Sequence, residues 1–459
     1  MIKNSIGRFS EELKEKFTKS LIFPFKGFLT EQDLHEMIEA EGIIFRNRCF
    51  TPIVTFYAFI AQVLDEDSSC RKALSRIIRF LASQNKVLPS TNTSAYCQAR
   101  ERLSSSLIQR TKDLVRDRLE KRVKTEQLWC GRTVKIADGS TVSMPDTPSN
   151  QKAFPQPTSQ KKGCGFPSAR IVVFFSLVTG ALLQCKIGKL KDHERSLFRK
   201  LWDTLSPGDV ILADRGFCSY ADIALLQKKK NVDTVFRLLG RKARFSQGKR
   251  LGKKDHIVTW KRPVQRPKGL LKTLFRALPK TITVRELQFS IQEKGFRSKE
   301  VTLVTTLLDE IQYPKSELIR LYRRRWEAEL YLKDIKTSMK MDVLRCESPK
   351  MVEKEIRIIG LAYNLIRALM WDSAQKHNTQ PLMISLRGTI QHVCSFTASL
   401  GEVSKTKANM IVENLSLVIA KEQLPHRKKR FEPRVVKRRP KAYPRMTEPR
   451  KSLKERLTA

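Results

Sequence analysis

YRRRWEAELYLKDIK, residues 322–336, is the centre of a longer stretch, SELIRLYRRRWEAELYLKDIKTSMKM (316–341), whose apolar spacing predicts one long helix. An α-helix turns about 100° per residue and rises about 1.5 Å. On that wheel Arg325, Glu329 and Lys336 fall within about 60° of Tyr322, stacked along one face about 21 Å long. Glu327, the competing acid, falls about 140° away, on the far side. One carboxylate thus shares a face with a phenol, a guanidinium and an ammonium. Such a face suits a site that holds a metal by its acid and a phosphodiester by its cations. A plainer reading is a solvated helix face laced by i, i+4 pairs.

Two further acids lie upstream. RTVKIADGSTVSM (132–144) alternates like a strand that ends in a turn at Asp138-Gly139. VILAD (210–214) is a short apolar run of the kind buried on both faces of a sheet, and it ends on Asp214, ahead of Arg215-Gly216. Strand ends are where ligands bind in α/β sheets. Two carboxylates from neighbouring strands and a third from a helix could hold two divalent metals about 4 Å apart for phosphoryl displacement. An Asp before Gly is also an ordinary turn residue. Spacing alone does not bring the three acids together.

Working outward, residues 1–128 read as a helical region, with apolar spacing in 50–64 and 72–84 and a long basic amphipathic pattern over 94–122. From residue 129 the period becomes that of strands. A Pro-, Gly- and Ser-rich segment (146–169) reads as a loop, 169–187 as a hairpin turning at Thr179-Gly180, and 192–205 as a helix. Residues 236–298 are basic, broken by Gly and Pro, and carry alternating runs such as HIVTW (256–260), which suggests a β-rich insertion between 129–235 and 299–375. The latter part holds a buried strand (299–309), the Glu329 helix and a helix over 354–375; 376–459 forms a C-terminal region. Its tail, 426–451, has twelve Lys or Arg against two Glu, with four prolines, and reads as extended until it meets a polyanion.

The charge balance agrees. Lys plus Arg number 89 against 46 Asp plus Glu, a net charge of +43 in 459 residues. Nucleic acid is the commonest polyanion such an excess meets. No apolar run approaches the roughly 18 residues of a membrane span, and no signal-peptide pattern opens the chain, so a cytoplasmic protein is expected. The nine cysteines show no metal-ligand spacing and do not cluster with the six histidines, which leaves oxygen ligands for any metal.

The segments KIADGSTVSMPDT, DVILADRGFCSY and YRRRWEAELYLKDIK resemble the three catalytic blocks of the DDE transposases of the insertion-sequence-four family, relatives of the transposon-five enzyme. Tyr322, Arg325, Glu329 and Lys336 match that family's Tyr-x2-Arg-x3-Glu-x6-Lys signature in full, and Trp326 matches too. The flanks SAYCQARERL, TSQKKGCGFPSARIVVFFSLVTGAL and LAYNLIRALM extend the likeness over roughly residues 90–375. The resemblance implies an α/β fold with an RNase H-like catalytic core interrupted by a β-rich insertion, and helical N- and C-terminal regions. It implies a transposase in which Asp138, Asp214 and Glu329 are catalytic and hold Mg²⁺, with Mn²⁺ able to substitute. Tyr322, Arg325 and Lys336 would contact phosphates beside a flipped base, and Arg215 and Trp326 are further candidate DNA contacts. The chemistry implied is cut-and-paste transposition on terminal inverted repeats and target DNA, through a hairpin, by a homodimer. The family's aromatic that stacks on the flipped base has no clear counterpart: Trp260 and Phe296 lie in the insertion, where ordinary strand packing accounts for either. Basic residues in 99–122 and 161–170 suit DNA wrapping. Another RNase H-like nuclease, or a silent DNA-binding descendant of a transposase, are the rival readings.

Overall fold

Val210, Ile211, Leu212 and Ala213 are all fully buried, so a sheet must pass this stretch through its middle with both faces covered. In the computed structural model of the chain it does. The structure describes residues 23–45, 49–83, 85, 88–240, 242–267, 269–291, 300–400, 403–425 and 444–458. The strands are β1 (Val134–Ser143), β2 (Ser168–Ser176), β3 (Leu182–Lys189), β4 (Val210–Ala213), β5 (Asp233–Arg237), β6 (Lys249–Gly252), β7 (Asp255–Lys261), β8 (Thr281–Ser290) and β9 (Glu300–Thr305). They form one nine-stranded sheet in the order β3-β2-β1-β4-β5-β9-β8-β7-β6. The fold is mixed α/β, one large sheet with many helices.

Pairing within the sheet is divided. β4 lies parallel to β1 on one side and to β5 on the other, while β1–β2, β2–β3 and β5–β9 are antiparallel. The basic stretch expected to be β-rich supplies β6, β7 and β8, and these continue the same sheet: β8 pairs with β9 from Arg285↔Thr305 to Ser290↔Glu300. A buried ion pair pins this extension, with Arg285 donating to both oxygens of Asp255 at 2.9 and 2.6 Å and to the Tyr313 carbonyl.

The helices before the sheet are α1 (Glu31–Ala40), α2 (Pro52–Leu64), α3 (Cys70–Ser83), α4 (Ser94–Arg102) and α5 (Ser105–Glu120). The single basic helix expected over 94–122 is two: the chain breaks at Leu103, and the Ser104 hydroxyl caps α5 by accepting from Leu107 N–H. Within the segment read as a loop lies α6 (Pro148–Ala153). The helix read over 192–205 is shorter, α7 (Glu194–Arg199), followed by a 3₁₀ turn, and α8 (Tyr220–Leu225) and α9 (Lys272–Arg276) come next.

The long helix read over 316–341 is also divided. α10 (Lys315–Arg324) and α11 (Trp326–Lys333) meet at Arg325, and Asp334–Ser338 is a π-helical turn. Beyond it, α12 (Pro349–Lys376) is buried on nearly every side, because α2, α5, α13 (Leu386–Leu400) and α14 (Lys405–Lys421) all pack around it. Asn364 docks α12 to the sheet: its amide accepts from Leu182 N–H at 2.8 Å and donates to Leu182 C=O at 3.0 Å. Residues 426–443 of the basic tail lie outside the described residues, and α15 (Arg450–Thr458) closes the chain. No helix among the described residues is long and apolar enough to cross a membrane.

Candidate active site

The register of two neighbouring parallel strands brings the aspartates together. β1 and β4 pair from Val134↔Val210 to Ala137↔Ala213, and the pairing stops there. Asp138 and Asp214 are the next residue on each strand, at the carboxyl edge of the parallel pair. Asp138-Gly139 is not a turn, as the sequence suggested. β1 runs on to Ser143, paired only with β2 and with Asp138 opposite Val173. The strand survives the Gly because β2 supplies a full ladder of partners. The Asp138 carboxylate accepts from Gly139 N–H at 2.8 Å, and Asp214 from Arg215 N–H at 2.6 Å.

Arg325, at the joint of α10 and α11, ties the third acid to these. It donates to Glu329 at 2.8 Å, and its guanidinium lies 5.9 Å from the centre of the Tyr322 ring. Burial opposes the charge on Arg325, but the Glu329 hydrogen bond, Tyr322 and Asp214 outweigh it and raise its pKa. Burial pushes the Tyr322 phenol up as well; Arg325 opposes that and Asp214 adds to it. Asp138 is pushed up to about 6, by burial first and then by the charges of Glu329 and Glu194, against the pull of Gly139 N–H and Arg325. Asp138, Asp214 and Glu329 therefore surround one guanidinium.

Lys336 reaches the site by a different route from the one its spacing suggested. It lies in the π-helical turn, where each residue rotates less than about 100°, so the single-helix projection fails past residue 334. Its ammonium still donates to Ser140 Oγ at 3.1 Å, two residues along β1 from Asp138. Glu327 points elsewhere, accepting from Arg324 at 2.8 Å and from the Tyr331 hydroxyl at 3.1 Å. The helical wheel separates the two glutamates because both lie in α11, before the π-turn.

Arg215 is exposed beside Asp214. Trp326 is 42% and Leu330 47% exposed, one turn apart on α11, and form an apolar ridge beside Arg325 and Glu329. Trp260 is buried, with its indole N–H donating to Glu286 at 2.7 Å, so it serves strand packing; Phe296 lies outside the described residues. Unforeseen from the sequence, Glu194, the first residue of α7, fills the space that a side chain at Gly139 would take. Nothing in DHERSLFRK marks that acid, because only the packing of α7 on the sheet brings it there.

The acids at this edge offer carboxylate oxygens, the donor type that hard divalent cations prefer. Among the described residues, no three His, Cys, Asp or Glu side chains are already gathered at metal-ligand distances. The guanidinium of Arg325 is the charge these carboxylates share.

The family model described as Transposase DDE domain matches residues 129–365, which include Asp138, Asp214, Glu329 and Lys336. The chain is 28% identical over 428 residues, 91% of its own length and 91% of the relative's, to the transposase InsG for insertion sequence element IS4 of Escherichia coli (strain K12). A solved piggyBac transposase synaptic complex with hairpin DNA aligns at a TM-score of 0.44 and 13% identity, covering 90% of this chain and 86% of that one. With the family model spanning both aspartate strands and the signature helix, and a relative matched along nearly its whole length, the chain belongs to the DDE transposases of the insertion-sequence-four family and is a DNA-cleaving, strand-transferring enzyme.

Proposed function

We propose that this transposase moves its element by cut-and-paste, and that Asp138, Asp214 and Glu329 are its catalytic carboxylates. The observation that carries the reading is their convergence: two aspartates one residue past the same strand pair, with Glu329 bonded to the Arg325 that both face. The strand order β3-β2-β1-β4-β5, with β4 parallel to both neighbours, supports an RNase H-like core over 129–235 and 299–375, with 236–298 as its insertion. In this reading 1–128 is a DNA-binding region and 376–459 serves partly for dimerisation.

Enzymes of this family generally depend on a divalent metal, and here Asp138, Asp214 and Glu329 would hold Mg²⁺, or Mn²⁺ in its place. When bound, the ion lowers the pKa of water and offsets charge on the phosphate under attack. The protein's own groups then position DNA. Arg325 and Lys336 offer cations to the phosphates flanking the scissile bond, Tyr322 supports Arg325, and Arg215 and Trp326 lie where the flanking duplex would pass. Water cuts one strand at the terminal inverted repeat; the freed 3′-OH attacks the other strand to form a hairpin. The hairpin is reopened, and the 3′-OH is joined to target DNA. Two ends cut in concert call for a homodimer, and a bacterial cytoplasm with access to the nucleoid is the setting.

The test is purified protein with Mg²⁺ or Mn²⁺ on a duplex carrying the element's terminal repeat. Cleavage by the wild type, with end binding but no cleavage by Asp214→Ala and Glu329→Ala, is the expected outcome. Normal cleavage by either variant overturns the assignment.

A further inference from the structure

We propose that Arg367, buried in α12, is a positioning residue: by holding Asp334 it sets the π-helical turn that presents Lys336 to β1. The inference rests on the part given to Lys336 above. Arg367 donates through Nη2 to Asp334 Oδ2 at 3.4 Å, and Asp334 is the first residue of that turn. The arginine itself cannot wander. Its Nε donates to the Tyr363 hydroxyl at 2.9 Å, and that hydroxyl donates to the Gly180 carbonyl at 2.8 Å, between β2 and β3. Its guanidinium also lies 4.8 Å from the centre of the Tyr331 ring and 5.3 Å from that of Tyr363. A cation buried this deeply is costly unless an acid pairs with it, and Asp334 is that acid.

The turn is supported on two sides. At somewhat under about 100° per residue, Asp334 and Lys336 leave it in roughly opposite directions. Asp334 meets α12, while Lys336 reaches β1 and donates to Ser140 Oγ at 3.1 Å. Just beyond the turn the chain is fastened to the end of β1. Ser143 N–H donates to the Asp342 carbonyl at 2.9 Å, and Leu344 N–H to the Ser143 carbonyl at 2.9 Å. Arg367 thus fixes the start of the turn and β1 fixes the chain after it. The Lys336 side chain is a long flexible stem, so the place of its ammonium depends on a backbone held at both ends.

The test reads the place of Lys336 and the hairpin step separately, on the full-length protein. Asp334→Asn removes the ion pair at a side chain that is 34% exposed, which spares the core, and Arg367→Lys keeps the charge but loses the fork. In both variants, labelling of Lys336 by acetic anhydride, followed by mass spectrometry, should rise about fivefold, with lysines elsewhere unchanged. On end-labelled terminal-repeat duplex, hairpin formation should fall about fivefold while first-strand nicking holds, and Asp334→Asn should add nothing to Lys336→Ala. Unchanged labelling of Lys336 in either variant, or a rise shared by lysines throughout the chain, overturns the role of Arg367. A rise confined to Lys336 with wild-type hairpin formation leaves Arg367 in its role and overturns the part given to Lys336 in the hairpin step.

Discussion

Asp138 and Asp214 each follow one member of the same cross-strand pair, Ala137 and Ala213, so the register of β1 against β4 sets the separation of the two carboxylates. Because side chains alternate along a strand, a one-residue slip would turn one of them to the opposite face of the sheet. The buried run Val210–Ala213 guards against that slip, since every residue in it has a core contact to lose.

The three carboxylates should act as a unit. Asp214→Ala and Glu329→Ala should each lower first-strand cleavage by on the order of 10³-fold or more, and the double variant should lose little beyond that. Denaturing gels of end-labelled duplex measure it, with gel shifts reporting retained binding. Multiplicative losses would show that the acids act separately.

Glu327 and Glu329 should part company. Glu327 pairs with Arg324 and the Tyr331 hydroxyl, so Glu327→Gln should cost about 1 kcal/mol in urea unfolding and leave cleavage within a few-fold. Glu329→Gln should do the reverse. A dead Glu327 variant beside an active Glu329 variant would reverse the assignment of the helix.

Lys336 reaches across from the π-turn to Ser140, on the strand that carries Asp138. Lys336→Ala should reduce hairpin formation severalfold (roughly 1 kcal/mol or more in that step) while first-strand nicking changes little. Time courses that resolve nicked and hairpin products decide the point, and equal losses in both steps would contradict the proposed role.

A pH effect is expected far from the site. Lys112 is buried, its ammonium donates to Gln184, and burial lowers its pKa to about 8. Between about pH 8 and 10.5 the unfolded chain holds a proton that the folded one has released, so stability rises with pH across that window. Lys112→Met should therefore be more stable than wild type by about 2 kcal/mol at pH 7, and the difference should fade as pH approaches 10.5. Urea unfolding at several pH values checks this; a gain that persists at pH 10.5 would point to packing instead.

The sheet extension depends on its buried ion pair. Asp255→Ala leaves Arg285 charged and unpaired in the core, at a cost of about 3–5 kcal/mol. Thermal unfolding of the full chain measures it, and a loss under about 1 kcal/mol would mean that Arg285 finds another partner.

Local periodicity made much of this chain legible. The apolar run before Asp214, the face holding Arg325 and Glu329 apart from Glu327, and the excess of cations all follow from nearest-neighbour spacing, which the sequence states directly. Tertiary structure decided the rest, since it depends on contacts between residues far apart in the chain. β2 as a partner turns the apparent turn at Asp138-Gly139 into continuous strand. The π-turn at Asp334–Ser338 changes how Lys336 arrives, and pairing with β9 draws the insertion into the core sheet. Only packing places Glu194 against Gly139, because a single acid at the head of a six-residue helix has no periodic partner to announce it. Asp138, Asp214 and Glu329 are each written in the sequence, and the register of β1 on β4 and the Arg325–Glu329 bond at the joint of α10 and α11 are what tertiary structure adds to them.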